Sequence, residues 1–534
     1  MNYGFVIDNR MCIGCHACTV ACKSEFDVPL GVNRTHVKYI EKGEFPHNTR
    51  EFSVHRCNHC ADAPCVEICP TTALHTRADG IVDFDNDRCI GCKSCMQACP
   101  YDALYIDPET NTAAKCNYCA HRIDGGYEPA CVVVCPVEAI ISGDLDDTNS
   151  KIAQLVANED TMTRKPEKST VPNLYYINGT NEMLDPNATK RDGDYVWSEQ
   201  ATGVGHYAKY ADQRLAESDT GNLLVQLSME NSARTGKPID KRAIDNVAQE
   251  IQQLDKQEAR RVYDSPSKGV LWGWEVPAYV WTKAIATGTF LMMAVWYYFN
   301  GGLDASSEMA GLIITLIFMG LTGGLLVKDI DRPDRFLYVL LRPQWKSWLV
   351  RGAYIITGFG GLVSLKLLDN YFKLGFDWLW IPGVIFAGLG AIYTAFLFNQ
   401  ARARDLWQTP IQSAIHMLVH AVMAGSVVMM IIAPDSSQWM VNILFWGIVA
   451  NMIIIAKEIL LPHDTPDTKK AIELMTKGYY SKYFWVGIVV GSLLPIAILN
   501  TVPGLSIIAG GLALVGIYLT EFVRIRVPQM IPLS

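Results

Sequence analysis

The second half of the chain is a series of long apolar stretches separated by short polar segments. From Val276 onwards, eight stretches approach the length of roughly 20 apolar residues that crosses a bilayer as a helix. Buried helices of a water-soluble protein are the alternative interpretation, but eight such stretches in series disfavour it. The pattern predicts an all-α bundle of eight transmembrane helices with cores at residues 279–300, 309–327, 348–368, 379–398, 411–433, 440–456, 484–499 and 505–523.

The first half has a different pattern, in which apolar residues come in short runs. Residues 80–84 are typical of a β-strand, and residues 164–177 predict an ordered tail that wraps the preceding domain. From Pro238 to about Val262, apolar residues recur at spacings of three and four, which predicts an amphipathic helix. The chain is therefore expected to divide into a domain at 1–178, a polar linker at 179–268 and a membrane anchor at 269–534.

Charge and cysteine content separate the same two halves. Residues 1–270 carry a net charge of −11 and residues 271–534 carry +3, and all sixteen cysteines lie between Cys12 and Cys135. An acidic first half argues against a nucleic-acid-binding protein. Residues 1–11 contain no basic, apolar or twin-arginine export signal. We therefore expect the thiols to lie in a reducing compartment.

The loops of the predicted bundle carry their basic residues on one side. Fifteen Lys and Arg residues belong to one set of loops, whereas the opposite set contains only Lys366 and Lys373. The richer side faces the cytoplasm by the positive-inside rule, and eight spans place both ends of the chain on that side. The sequence thus predicts a multi-pass protein of the cytoplasmic membrane with its cysteine-rich domain on the cytoplasmic side.

The cysteines form four groups of four. Two groups have the spacing C-x2-C-x2-C-x3-C of bacterial two-cluster ferredoxins, in which the fourth Cys binds the other cluster of the pair. Zinc sites use separated C-x2-C pairs, which these tight triplets do not resemble. The groups therefore predict iron–sulfur ligands, namely Cys12, Cys15, Cys18, Cys22, Cys57, Cys60, Cys65, Cys69, Cys89, Cys92, Cys95, Cys99, Cys116, Cys119, Cys131 and Cys135.

Sixteen cysteine ligands predict four [4Fe–4S] clusters. Four clusters in one small domain favour an electron relay over a single reaction centre, and the domain contains no Ser/His/Asp constellation or nucleotide-binding glycine loop. Three histidines, His16, His59 and His121, fall within the motifs. We interpret them as neighbours of the clusters or as surface residues, not as ligands.

The order of the cysteine groups resembles the four-cluster electron-transfer subunit of complex iron–sulfur molybdoenzymes, such as dimethyl sulfoxide, polysulfide, tetrathionate and nitrate reductases. The resemblance covers residues 3–178 and rests on CNHCADAPCVEICP, CIGCKSCMQACPYDA, CNYCAHRIDGGYEPACVVVCP and the tail RKPEKSTVPNLYYI. It implies an α+β ferredoxin-like double dicluster domain. The implied ligand sets are Cys12, Cys15, Cys18 with Cys135; Cys116, Cys119, Cys131 with Cys22; Cys57, Cys60, Cys65 with Cys99; and Cys89, Cys92, Cys95 with Cys69.

The membrane half is similar to the polysulfide-reductase (NrfD-type) integral membrane anchor. The similarity spans residues 270–525 and is concentrated in WGWEVPAYVW and DIDRPDRFLYVLLRPQWKSWLVRGAY. It implies eight spans that exchange electrons with quinone, fused here to a subunit that is usually a separate polypeptide. That family often places its iron–sulfur subunit outside the cytoplasmic membrane by means of a partner's export signal, whereas the loop charges predict the inside.

A quinone head group needs hydrogen-bond partners, and ionisable residues inside spans suggest function because their burial is costly. His416 and His420 are four residues apart, hence on one helix face, and histidine can accept quinol protons near neutral pH. Two histidines on one helix cannot flank a single haem, so no haem is expected. The candidate quinone residues are Glu275, Tyr279, Lys283, His416 and His420, with Asp329, Asp331 and Arg332 leaving the second span on the same side.

The sequence thus predicts a membrane-bound electron-transfer subunit of a respiratory oxidoreductase, serving anaerobic respiration. It would relay electrons between the membrane quinone pool and a separate catalytic subunit, which the resemblance implies is a molybdopterin enzyme. The alternative is an ion-translocating membrane protein driven by a ferredoxin module. That function requires a row of acids across the membrane, and Glu458 and Glu521 lie near span ends. Substrate conversion is expected on another polypeptide.

Overall fold

A computed structural model of the protein describes residues 1–43, 48–191, 259–265 and 268–534. The described residues form two compact units. The cysteine unit comprises Met1–Val66, Ala73–Leu271 and Pro532–Ser534, and the helical unit comprises Glu67–Thr72 and Trp272–Ile531. By this division Cys69 belongs to the helical unit and the other cysteines belong to the cysteine unit.

Two four-stranded sheets organise the cysteine unit, and two small hairpins accompany them. The sheets have the strand orders β8-β1-β10-β9 and β11-β12-β2-β3, and the hairpins are β4-β5 and β6-β7. The strands are β1 (Tyr3–Asp8), β2 (Thr35–Lys42), β3 (Thr49–Arg56), β4 (Leu74–Thr76), β5 (Val82–Phe84), β6 (Leu104–Ile106), β7 (Ala113–Lys115), β8 (Ile140–Asp144), β9 (Thr161–Met162), β10 (Leu174–Ile177), β11 (Lys190–Arg191) and β12 (Arg260–Tyr263).

Short helices connect these strands and carry several of the cysteines. They are α1 (Ala17–Glu25), α2 (Pro64–Ile68), α3 (Ser94–Ala98), α4 (Ala120–Asp124), α5 (Ala130–Val133), α6 (Lys151–Asn158) and α7 (Asn181–Leu184). Phe5 of β1 and Val54 of β3 lie in one buried cluster with Tyr118, Cys18 and Cys131. Apolar strand residues therefore surround thiols from different motifs.

Two predictions for the cysteine unit are confirmed and one is partly wrong. The predicted strand at 80–84 contains β5, and the predicted tail supplies β10, which pairs in parallel with β1. Residues 238–258 of the predicted amphipathic helix lie outside the described residues. Its predicted end is wrong, because Arg260–Tyr263 is a strand paired with β2. Arg260 also contacts Glu41 across that pair at 3.3 Å, which favours the extended backbone.

The helical unit contains eight described helices that are long and apolar enough to cross a bilayer, as predicted. They are Glu275–Asn300, Ala305–Asp329, Trp348–Phe372, Asp377–Gln400, Pro410–Ile432, Pro434–Leu460, Ser481–Thr501 and Ser506–Met530. Each predicted core lies within one residue of these bounds. The predicted fold class, an α+β domain followed by an all-α bundle, is confirmed.

These spans contain or adjoin the following helices, which are numbered after α7. They are α8 (Glu275–Asn300), α9 (Ala305–Asp329), α10 (Tyr338–Leu341), α11 (Trp348–Phe372), α12 (Trp380–Gln400), α13 (Pro410–Ile432), α14 (Ser437–Leu460), α15 (Pro466–Thr476), α16 (Ser481–Ile488), α17 (Leu494–Thr501) and α18 (Ser506–Arg526). A π-helical turn, Val489–Leu493, joins α16 and α17 within one span.

Glycines let the first and fifth spans approach closely. A Cβ atom on Gly288 of α8 would overlap the carbonyl oxygen of Ala421, and one on Gly425 of α13 would overlap that of Gly288. Of the glycines expected to aid packing in the third span, Gly358 does so against Phe386, but a Cβ on Gly360 or Gly361 would meet no described neighbouring element within 4 Å. Close packing thus fixes α8 against α13.

Lys366 is not a loop residue, which corrects the interpretation of the sparsely charged side. It lies within α11 and is 3% exposed. Its ammonium lies 2.7 Å from Asp369 and 3.5 Å from Glu308, so buried carboxylates neutralise it. Lys373 remains as the one basic loop residue that the sequence assigns to that side.

Candidate functional site

Two cysteine loops share one unusual backbone. In the loop that begins at Cys12, Gly14 and His16 have φ values of 68° and 60°. In the loop that begins at Cys89, Gly91 and Lys93 have φ values of 68° and 61°. Glycine adopts positive φ without steric cost, so the C-I-G-C sequence favours this turn. In each loop two cysteines precede a short helix and the third, Cys18 or Cys95, lies in its first turn.

Thiols from separate motifs come within electrostatic reach of one another. Cys12 interacts with Cys135 and Cys15, Cys22 interacts with Cys116, Cys119 and Cys131, and Cys65 interacts with Cys99, Cys57 and Cys60. All sixteen cysteines are free thiols. These neighbours belong to three of the ligand sets implied by the resemblance. Ligation by the individual residues stays a prediction.

Burial disfavours the thiolate form of these cysteines when no metal is bound. It raises the pKa of Cys18 to about 11 and that of Cys99 to about 11. A metal ligand must be a thiolate, so metal loading would release protons here. Clustered buried thiols are the donor set that iron–sulfur clusters use. The residues present therefore fit iron–sulfur clusters.

The motif histidines have distinct surroundings. His59 is buried, and its Nδ1 accepts a hydrogen bond from the Val82 amide at 3.1 Å. The proton of the neutral ring is therefore on Nε2, which lies 3.8 Å from the Cys116 Sγ atom. His121 instead contacts Glu25 at 2.7 Å on the surface. His59 is thus a hydrogen-bond donor toward a predicted ligand.

Sequence reasoning missed a buried cation among the thiols. Arg56 is 2% exposed, and its Nη1 donates to the Cys131 Sγ atom at 2.9 Å. Strand alternation contained a signal for it, because Arg56 lies two residues after the core residue Val54 and hence on the same face of β3. A charged residue on the buried face of a strand needs a partner of opposite charge.

A buried polar network lies among three spans of the helical unit. Asn451 of α14 accepts hydrogen bonds from Nε2 of His416 at 2.6 Å and of His420 at 3.0 Å, both on α13. Glu521 of α18 lies 3.4 Å from Nδ1 of His420. Arg524 donates to Nδ1 of His416. We call these five residues the histidine network.

The two imidazoles of the network differ in the charged group that faces Nδ1. Nδ1 of His416 accepts from a guanidinium that cannot be deprotonated, so the ring is neutral with its proton on Nε2. His420 also donates from Nε2, but its Nδ1 faces the carboxylate of Glu521. A second proton on His420 would be placed on that Nδ1 and would be stabilised by Glu521. The pair can therefore accept a proton.

The ligand atoms of His416, His420 and Glu521 lie within 4.8 Å of one another, close enough to hold a metal ion. However, Arg524 contacts both His416 and Glu521, the latter at 3.3 Å, and also lies 3.1 Å from Glu458. A guanidinium in this position repels a metal cation and occupies its ligands. The arrangement therefore favours proton chemistry over metal binding.

Of the three candidate quinone residues on α8, two are buried and one is half-buried. Lys283 is 1% exposed, and its ammonium donates to Thr394 at 2.5 Å and to the Ala391 carbonyl at 3.1 Å. Tyr279 is buried and interacts electrostatically with Glu521 of the histidine network. Glu275 is half-buried and lies 3.8 Å from Lys328.

The candidate residues of the second-span exit also have defined surroundings. Asp329 interacts electrostatically with Tyr279, whereas Arg332 pairs with Asp334 at 2.8 Å. The structure thus connects Tyr279 and Asp329 with the histidine network. Asn451, Glu521 and Arg524 were missed as site residues, and their spacing from the histidines in the sequence carries no signal.

Comparisons with known proteins agree with both units. Residues 264–532 match the family model "Polysulphide reductase, NrfD", and residues 49–145 match a 4Fe-4S dicluster domain. A polysulfide reductase polypeptide of Wolinella succinogenes is 43% identical over 178 residues, which are 33% of this chain and 93% of that protein. A tetrathionate reductase subunit of Salmonella typhimurium is 42% identical over 188 residues, which are 34% and 75% of the two proteins.

A similar match covers a putative dimethyl sulfoxide reductase iron–sulfur subunit of Halobacterium salinarum, which is 42% identical over 208 residues, 33% of this chain and 79% of that protein. Both resemblances inferred from the motifs are thereby confirmed. The protein belongs to the polysulphide reductase NrfD family, as a multi-pass membrane protein that carries, on the same polypeptide, an iron–sulfur electron-transfer unit related to these reductase subunits.

Proposed function

We propose that this protein relays electrons between the membrane quinone pool and a separate molybdopterin-containing catalytic subunit, by way of four [4Fe–4S] clusters. The observation that carries the proposal is the histidine network, a proton-accepting group buried in the spans of a polypeptide that also holds sixteen free thiols. The division into 1–178, 179–268 and 269–534 remains part of the proposal. When bound, each cluster supplies a carrier of one electron at a time.

The histidine network supports the quinone half of the proposal. Oxidation of one quinol to quinone releases two electrons and two protons, so a quinol site needs groups that accept protons. His420 can hold one on Nδ1 facing Glu521. Tyr279 interacts electrostatically with the same carboxylate, and Tyr279 and Lys283 share Thr394 as a hydrogen-bond partner. These side chains would orient a quinone head group and take up its protons.

One end of the relay is proposed to lie near Cys15, the exposed member of the sixteen thiols. Exposed apolar residues of the same unit occur in its own loop and in two helices, namely Ile13, Val20 of α1 and Val133 of α5. An apolar surface around a thiolate ligand suits a partner that must approach a cluster closely. The relatives named as reductase subunits support a catalytic partner, and the molybdopterin in it follows from the resemblance.

The first experiment measures reduction of the clusters by quinol. The full chain, purified with its partner, is mixed with a short-chain quinol, and cluster reduction is followed by absorbance and EPR. We expect reduction in the wild type and a rate at least tenfold lower in His420→Gln, because the variant lacks the second proton site. His75→Gln is the control, since His75 is an exposed residue of the cysteine unit. Absence of reduction in the wild type would remove the quinone role.

The second experiment counts iron. Four cubanes require about sixteen iron atoms per polypeptide, and Cys119→Ser should lower the content by about four while the other clusters remain visible by EPR. A wild-type content of about eight, or a stoichiometric zinc content, would contradict the four-cluster relay.

Sidedness is proposed from the loop charges, which place the cysteine unit in the cytoplasm. Protease added to inverted membrane vesicles should cut the cysteine unit, and protease added to spheroplasts should leave it intact. Cleavage only in spheroplasts would show that the unit is on the opposite side.

Ion translocation is the second candidate, favoured by the buried cluster of Lys366, Glu308 and Asp369. Proteoliposomes that oxidise quinol should release only the protons of quinol itself. A proton yield above two per quinol would favour translocation.

A further inference from the structure

Arg56 is a buried cation within the set of thiols. It ends β3, its guanidinium lies 4.7 Å from the centre of the Phe5 ring, and Nη1 donates to the Cys131 Sγ atom at 2.9 Å. Burial of a charge is costly unless an opposite charge accompanies it. A neutral thiol is a weak acceptor and does not neutralise a guanidinium. The position therefore calls for a further negative group.

The guanidinium lies between two of the implied ligand sets. It interacts electrostatically with Cys12 and Cys18, which belong to one set, and with Cys116 and Cys131, which belong to another. One cation therefore lies near the ligands of two predicted clusters, and its charge would act on both.

Two hydrogen-bond donors of Arg56 also lack an acceptor. Its Nε and Nη2 are buried and have no hydrogen-bond acceptor among the residues that the structure describes. Lys115 is also buried, and its ammonium donates to the carbonyl oxygens of Val82 and Cys116 and interacts with the thiols of Cys57 and Cys65. Arg56 differs in that two of its donors remain for a group with sulfur acceptors.

A cation beside an iron–sulfur cluster would affect the reduction potential of that cluster. A [4Fe–4S] cluster with four thiolates carries a net negative charge, which becomes one unit more negative on reduction. A nearby cation and an N–H···S hydrogen bond both stabilise the more negative state, and hydrogen bonds to sulfur and net charge are known determinants of cluster potential. Arginine keeps its charge at any working pH, so its effect is constant.

We propose that Arg56 is a positioning residue of the electron relay, which raises the midpoint potentials of the two clusters held by Cys12, Cys15, Cys18, Cys135 and by Cys22, Cys116, Cys119, Cys131. The inference rests on the proposed four-cluster function. It assigns these two clusters a common electrostatic partner. Both potentials would fall together if that partner lost its charge.

The test is an EPR-monitored redox titration of the full chain with its partner. Arg56→Gln removes the charge, and Arg56→Lys keeps the charge but loses the planar donor toward Cys131. In Arg56→Gln we expect two of the four midpoint potentials to fall by at least a tenfold change in the reduction equilibrium, ~59 mV for one electron, and the other two to stay. Arg56→Lys should leave the potential of the cluster held by Cys12, Cys15, Cys18 and Cys135 near its wild-type value and lower that of the cluster bound by Cys131 by less than Arg56→Gln does, because it keeps the charge but loses the hydrogen bond to Cys131. Arg10→Gln, at an exposed arginine paired with Asp8, is the control.

Each outcome decides the inference. Wild-type potentials in Arg56→Gln, or an equal fall of all four, would overturn it. If Arg56→Gln loses iron, Arg56→Lys decides alone. A lower potential for the cluster bound by Cys131 would then support the role, and four unchanged potentials would contradict it. If the wild type itself lacks four clusters, the proposed function has failed instead, and the iron content reports that separately.

Discussion

Asn451 holds both imidazoles of the histidine network, so its replacement by leucine is a direct test of that network. Asn451→Leu keeps a similar side-chain volume but removes the oxygen that accepts from His416 at 2.6 Å and from His420 at 3.0 Å. Both rings are at most 1% exposed, so water cannot take over as acceptor. The variant leaves two buried N–H groups without a partner.

The magnitude follows from those two groups. A buried donor left unsatisfied costs about 1–3 kcal/mol, whereas a hydrogen bond between membrane helices averages about 0.6 kcal/mol when the freed groups find other partners. The other ring nitrogens already face Arg524 and Glu521, so rearrangement is restricted. We therefore expect a loss of about 3 kcal/mol, equivalent to a lower melting temperature by at least about 6 °C for a unit of this size.

The assay is thermal unfolding of the full chain in detergent, followed by tryptophan fluorescence. Asn442→Leu is the matched control, because Asn442 lies on the same helix but is exposed. Quinol-dependent cluster reduction, measured on the same samples, should fall in Asn451→Leu and stay unchanged in Asn442→Leu. A melting temperature equal to that of the control, with full quinol activity, would refute the network as described.

Three further predictions follow from the packing and charge of the described residues. Gly425→Ala should destabilise the bundle by about 1–3 kcal/mol through overpacking against α8, whereas Gly361→Ala, in open space, should not, and equal melting temperatures would contradict the close contact. Lys366→Met should cost about 3–5 kcal/mol because it leaves Glu308 and Asp369 as buried unpaired carboxylates, whereas the exposed Lys373→Met should not. Loss of hydration and the nearby Lys38 lower the pKa of His36 to about 3, against the opposing effect of Asp264. The unfolded protein therefore binds the extra proton, and the stability of the cysteine unit should fall as pH drops from about 6.5 towards 3. His36→Gln should flatten that decline, and an unchanged pH profile would contradict the assignment.

The sequence predicted the helical unit well because a transmembrane span is a local property. Length and apolarity alone decide it, so all eight predicted cores agree with the observed helices. The amphipathic pattern that ended near Val262 was less informative, because Arg260–Tyr263 is a strand held by its pairing with β2. A strand edge supplied by distant residues overrides a local helical period.

For the candidate site, too, the sequence suggests some residues and does not reveal their partners. The ligand role of the cysteines from Cys12 to Cys135 is a prediction from their spacing, and the structure adds that thiols of separate motifs lie near one another. His416 and His420 could be suggested because ionisable residues within spans are rare. Lys366 was counted with the loops because it is a basic residue near the end of a span, although it is buried inside that span and paired with carboxylates of α9 and α11. The sequence shows which buried groups need a hydrogen-bond partner or an opposite charge, but it does not show which residues provide that partner.

The thiols of the cysteine unit and the histidine network of the helical unit illustrate the same distinction. In the cysteine unit, the thiols are visible in the sequence, but the cation beside them, Arg56, comes from the end of a strand. In the helical unit, the histidines are visible, but Glu521 and Arg524 come from the last span. In both places a charged partner of the reactive group comes from a different element of the chain. On the proposed function, Arg56 and Glu521 are therefore the residues whose replacement would change the cluster potentials and the proton uptake of the histidine network without removing a cysteine or a histidine.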